Sequence, residues 1–178
     1  MGGGSKDGII LKDDDGLPFI PGKTLKGLLR DAFVECGFDE ENEIELFGHR
    51  KHKLDKNEKN PKNEQGKLYF SSAYLQKDLR SHLNNNKVLI NGLFTSKTST
   101  QLDNHKQAEN HSLRKIEVCI PLELEASITP LFSEKEIYKD YQKHLEKAFK
   151  MLKLLGEKRY RGIGRCIVKL KNITNDNS

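Results

Sequence analysis

An α+β fold, with a mostly antiparallel sheet and helices on one of its faces, follows from three features of the sequence. Two segments repeat apolar residues at the 3.6-residue helical period, one run alternates apolar and polar residues from Ile116 to Ile128, and βαβ crossovers are few. At 178 residues the chain suits one compact domain that buries a core without disulfides or structural metals.

Ile9-Ile10-Leu11 reads as a short strand or extended arm, closed by the acidic turn Asp13-Asp14-Asp15-Gly16. Pro21-Gly22 then sets a turn. Leu25, Leu28, Leu29, Ala32, Phe33 and Cys36 predict an amphipathic helix that Gly37 ends. Beyond an acidic patch and Leu46-Phe47-Gly48, residues 49–66 form a polar insertion. Seven basic residues from Arg50 to Lys67 face Asp55, Glu58 and Glu64 there, so the loop is net basic, suited either to a nucleic acid or to solvent alone.

Residues 67–73 and 87–91 have strand composition, and a long polar segment, 92–114, shows almost no regular pattern. The alternation from Ile116 to Ile128 predicts one half-buried strand with Glu117, Glu123 and Glu125 on its polar side, where Pro121 marks an edge or a bulge. Ser133 and Glu136 make a capping box for a second helix, whose apolar stripe runs from Ile137 to Leu155 before Gly156. Cys166, Val168 and Leu170 predict a last strand.

Basic residues number 31 against 26 acidic ones, a net charge of +5 that favours a polyanionic partner. Cys36, Cys119 and Cys166 are far apart and lie in apolar patterns, which reads as buried free thiols in a reducing cytoplasm. No apolar run is long enough to span a bilayer, and no membrane partner is expected.

Lys23, Lys26 and Arg30 recur at helical spacing near unpaired backbone N–H groups of a helix start, an arrangement suited to phosphate. Gly162-Ile163-Gly164 follows a helix and opens a strand, the reverse of a dinucleotide fingerprint, and alone reads as a simple turn. Arg159, Arg161 and Arg165 around it shift the reading toward RNA. Asp7, Asp13, Asp14 and Asp15 could hold a divalent cation, although Asp13 to Asp15 also suit an ordinary turn. His105 and His111 in a polar segment favour solvated side chains over a catalytic pair.

In order along the chain, four blocks resemble the RAMP superfamily of CRISPR systems, in particular the guide-RNA-binding backbone subunits of type III effector complexes. They are Gly2-Gly3-Gly4 with Asp7 and then residues 16–27; Leu46-Phe47-Gly48 with residues 66–73; Ala108 to Leu113 leading into Glu117-Val118; and Leu155-Gly156 through Gly162-Ile163-Gly164-Arg165. The resemblance implies a ferredoxin-like, RRM-related antiparallel sheet, a single RNA-binding domain over 1–178, and a thumb-like extension around 92–114. It implies a cytoplasmic protein of antiviral defence whose partners are guide RNA, target RNA and other subunits, including copies or paralogues of itself. It puts Lys23, Thr24, Lys26, Arg30, Arg159, Arg161, Gly162, Gly164 and Arg165 on the guide. In branches whose backbone subunit is a target-RNA endonuclease, a hydrolase using Mg2+, the matching aspartate is Asp7, the candidate catalytic and metal-binding residue. Such proteins open with a strand ahead of the glycines; from Met1 onward none precedes them here, so a sheet lacking its usual first strand is expected. The alternatives are a metal-independent endoribonuclease that processes CRISPR transcripts, using His105 or His111, and a non-catalytic structural subunit.

Overall fold

The computed structural model describes residues 8–49, 65–83, 86–100, 107, 114–131, 135–156 and 163–171, with backbone alone for 135–140. Elements follow in the order α1 (Gly22–Glu35), α2 (Glu40–Phe47), β1 (Leu68–Phe70), β2 (Tyr74–Leu75), α3 (Lys77–Leu83), α4 (Lys87–Gly92), β3 (Phe94–Ser99), β4 (Arg114–Cys119), β5 (Leu124–Glu125), β6 (Ile128–Pro130) and α5 (Lys135–Met151). The fold is therefore mixed α+β. Its described strands pair as three antiparallel two-stranded ladders, β1 with β6, β2 with β5 and β3 with β4. None of the described helices is long and apolar enough to cross a membrane.

The chain divides into two compact units, one of residues 21–71 and 127–178, the other of residues 1–20 and 72–126. In the first, Leu29, Ala32 and Phe33 of α1 pack with Leu46 and Phe47 of α2, Leu68 and Phe70 of β1, and Leu145 and Ala148 of α5. Apolar residues at helical spacing thus bury one face of α1 and of α5, as their periodicity predicts. The acidic patch proves to be α2, with Glu40, Glu41 and Glu43 in its first turn, where the helix dipole favours carboxylates. Register in β1–β6 sets Tyr69 opposite Thr129, with Leu68 and Phe70 turned into the core.

In the second unit Leu17, Leu75, Leu83 and Leu93 form a smaller core. Asp13 organises the acidic turn, its Oδ1 accepting from the N–H groups of Asp15 and Leu17 at 3.0 Å. Residues 9–11 are an extended arm, pairing through Gly8 with Ile116 and through Lys12 with Pro18 on either side.

Several expectations are corrected. Residues 87–91 form α4, not a strand, because the Asn86 side chain accepts from the Leu89 N–H and starts a helix. The patternless segment contains β3, which pairs with β4 although five of its six residues are exposed. Exposure on both faces erases the period-two signal.

The single strand from 116 to 128 is three strands, broken around Pro121, whose ring removes a ladder donor. Glu117, expected on the polar side, is buried; its N–H donates to Gly8 O at 2.9 Å and its carboxylate accepts from Ile10 N and Lys12 Nζ. Helix α5 ends at Met151, ahead of Leu155, and residues 166–170 form no strand: beyond the Leu154–Arg165 bridge no described partner continues a ladder. The three cysteines are free but half-buried, and burial pushes the thiols of Cys119 and Cys166 up. Residues 50–64 and most of 100–113, including His105 and His111, lie outside the described residues.

Candidate nucleic-acid interface

Helix α1 begins where Gly22 packs against the backbone at the end of β1. A Cβ on Gly22 would overlap the Phe70 carbonyl oxygen and stand 2.9 Å from the Ser71 carbonyl, so only glycine permits this approach. The Pro21 carbonyl accepts from Thr24 N at 2.9 Å and Leu25 N at 3.1 Å, closing the first turn without a side-chain cap. Lys23 and Thr24 follow at once, both exposed. Turn chemistry and a close backbone contact thus fix where the cations emerge.

Lys23 and Lys26 make no ion pair among the described residues. Lys26 is half-buried, and burial first, the Arg30 guanidinium second, hold its ammonium below the usual lysine range. An anion brought there would relieve that penalty.

Arg30 is placed differently. Its Nε donates to Glu43 Oε1 at 2.5 Å and its Nη2 to the Gly48 carbonyl at 2.6 Å, with the side chain only 12% exposed. The guanidinium ties α1 to α2 and its C-terminal turn, rather than standing beside Lys23 and Thr24 in solvent. Helical spacing could not reveal this, because the partner comes from another element.

The glycine-rich loop is described from Ile163. Gly164 has φ +82°, and a Cβ would overlap the Leu155 carbonyl oxygen, so the residue is required both for its backbone conformation and for space. Its carbonyl accepts from Leu155 N at 2.7 Å, and Cys166 N donates to Lys153 O at 2.9 Å. This folds the loop back on the segment after α5 and leaves Arg165 exposed. Arg159, Arg161 and Gly162 lie outside the described residues, as does Asp7.

Asp13 and Asp15 of the acidic cluster serve the fold. Arg80 Nη1 lies 2.7 Å from Asp13 Oδ2 and Nη2 2.5 Å from Asp15 Oδ2, while Asp13 Oδ1 holds the turn. No group of three His, Cys, Asp or Glu side chains among the described residues could hold a metal ion. The donor set around Asp13 does not fit Mg2+, and the expectation of a metal rests on Asp7 alone.

Comparison with known proteins bears on the whole chain. The RAMP superfamily family model matches residues 1–167. No curated protein matches. Among solved structures, the chain is similar to one in the cryo-EM structure of the type III-B Cmr-beta complex bound to cognate target RNA, at TM-score 0.58 and 14% identity, covering 88% of this chain and 85% of that one. The apo state of Cmr-beta gives TM-score 0.55 at 13% identity, covering 88% and 86%. A chain of a type IV-B CRISPR complex gives 0.50 at 15% identity, covering 96% and 90%. At these identities the likeness is one of fold.

Proposed function

Because the chain belongs to the RAMP superfamily, we propose that it is a subunit of a type III or type IV CRISPR effector complex and binds the guide RNA as part of its backbone. The observation that carries this reading is the start of α1, where Lys23, Thr24 and Lys26 stand without ion pairs among the described residues on a turn locked to β1 by Gly22. Gly164 and Arg165 add a second rigid turn with an exposed guanidinium. Contacts of this kind are to phosphate; they fix position on RNA and carry little sequence information.

The wider reading keeps a ferredoxin-like, RRM-related core in a single RAMP domain, guide and target RNA with sister subunits as partners, and a cytoplasmic setting. The thumb-like extension occupies the span around 92–114, a reading supported by β3, which is polar and exposed and lies within it. Target cleavage with Mg2+ belongs to this reading only through Asp7.

The test is the salt dependence of RNA binding. Replacing Lys23 and Lys26 by alanine is expected to weaken binding of the guide and to reduce the slope of log K against log salt by about 0.7 per lost phosphate contact on a single strand. An unchanged slope would overturn the reading. Asp7→Ala in the assembled complex separates cleavage from binding: cleavage lost with binding intact assigns the reaction to Asp7, and unchanged cleavage removes Asp7 from it.

A further inference from the structure

Glu117 is the one buried residue of β4, at 8% exposure. Its backbone and its carboxylate both hold the arm from Gly8 to Lys12. Glu117 N–H donates to the Gly8 carbonyl at 2.9 Å, Ile10 N–H donates to Oε2 at 3.3 Å, and Lys12 Nζ donates to Oε1 at 3.4 Å. The same ammonium lies 3.3 Å from Oε2 and 3.9 Å from the centroid of the Phe94 ring on β3. Phe94 pairs with Cys119 and packs against the smaller core, so the arm is tied to a fixed ladder.

Apolar packing does not explain this attachment. Ile9 and Leu11 are 70% and 56% exposed, and no arm residue belongs to either core cluster. A buried ion pair by itself can often be replaced by apolar side chains without loss of stability. A carboxylate that accepts from the Ile10 N–H cannot, because it satisfies a backbone donor and so sets the path of the chain.

We infer that Glu117 is a positioning residue for cleavage of target RNA, since it fixes the arm that begins one residue after Asp7. Asp7 precedes Gly8 in the sequence, and a peptide link holds consecutive Cα atoms about 3.8 Å apart. Anchoring the Gly8 carbonyl therefore bounds the reach of the residue before it. The inference rests on the reading that Asp7 carries cleavage, and adds to it the group that holds the arm in place. Glu117 acts through the arm and touches no reacting atom.

The experiment uses the assembled complex, with target affinity from anisotropy, the single-turnover rate of target cleavage, and hydrogen exchange of residues 8–12. Misplacing a reacting group by about 1 Å costs on the order of 100-fold in rate. Glu117→Ala is accordingly expected to slow cleavage about 100-fold at unchanged target affinity, and to speed exchange in the arm. Glu117→Gln keeps an acceptor for the Ile10 N–H and is expected to restore both rate and exchange to near the parent. A residue that served stability alone would not separate rate from affinity in this way. Lys12→Ala loosens the same arm without altering β4, is expected to slow cleavage too, and carries the test where Glu117→Ala fails to assemble.

Asp7→Ala without effect on cleavage overturns the Asp7 reading and this inference together. Cleavage lost in Asp7→Ala but at the parent rate in Glu117→Ala, or in Lys12→Ala where that variant stands in, overturns the inference alone. So does a glutamine variant as slow as alanine, and so does a loss of target affinity that matches the loss of rate.

Discussion

Arg30 and Glu43 form a buried ion pair, Nε to Oε1 at 2.5 Å, with side chains 12% and 6% exposed. The same guanidinium donates to the Gly48 carbonyl, so one side chain serves two elements. A buried pair is costly to break from one side, since the remaining charge stays in a poorly solvated site. Arg30→Ala is therefore expected to lower stability by about 3–5 kcal/mol in urea unfolding. Arg30→Met combined with Glu43→Leu should recover much of that loss, because both charges are then gone. RNA affinity per folded molecule should change less in the double variant than on replacing Lys23 and Lys26. The opposite ranking would return Arg30 to the RNA contacts.

Glycines in α1 separate a structural constraint from a helix penalty. Gly22 meets β1 backbone, and a Cβ there requires the helix start or the strand to shift. Gly27 lies in the same helix, on its exposed face, with nothing within 4 Å of the point a Cβ would occupy. Gly27→Ala is expected to stabilise by up to about 1 kcal/mol through helix propensity. Gly22→Ala is expected to destabilise and to weaken RNA binding, since it moves Lys23 and Thr24. Thermal unfolding and RNA anisotropy of the two variants check both signs, and equal responses would contradict the close contact.

What could be read from the sequence follows from how locally each feature is determined. Helices α1 and α5 were legible because their apolar faces repeat over several turns and meet each other in one core. Residues 87–91 were not, because a five-residue apolar run fits strand or helix equally, and a single side chain, Asn86, decides it. Strand β3 depends on pairing with β4, a contact distant in sequence, most so for its first residue, Phe94, which pairs with Cys119. Among the candidate RNA contacts, Lys23 and Lys26 could be placed on α1 from spacing alone. Arg30 shares that spacing and differs only because α2 folds Glu43 against it. Glu117 lay on the polar side of the expected strand, and its burial comes from the arm between Gly8 and Lys12, which no local pattern sets against β4.

Glu45 links three elements of the first unit and makes its stability depend on acid. Lys67 Nζ donates to Oε1 at 2.6 Å and the Tyr141 hydroxyl to Oε2 at 2.5 Å, joining α2 to the segment before β1 and to α5. The Lys67 hydrogen bond first, then that of Tyr141, hold the carboxyl below the usual value of 4.5. Because the folded value is depressed, the stabilisation is fully present above 4.5 and is lost as pH falls through the folded value. Tyr141→Phe and Lys67→Met should each flatten the fall in urea midpoint across that acid window. A profile identical to the parent in both variants would remove Glu45 from the acid response.

Lys26 gives the complementary test at alkaline pH and reports on the proposed RNA contact at the start of α1. Burial and Arg30 lower its folded value below 10.5, so the charged form is disfavoured in the native state. Below the folded value both native and unfolded chains hold the proton, and folding bears the whole penalty. As pH rises from the folded value toward 10.5 the native chain releases its proton first, and the penalty disappears. A phosphate beside Lys26 favours the ammonium and raises its value again. RNA binding should accordingly take up protons in the window below 10.5 and weaken as pH rises through it. Calorimetry in two buffers of different ionisation enthalpy measures the uptake directly. Lys26→Met should abolish this contribution and Lys23→Met should leave it, whereas equal uptake by parent and Lys26→Met would place the RNA away from this helix start.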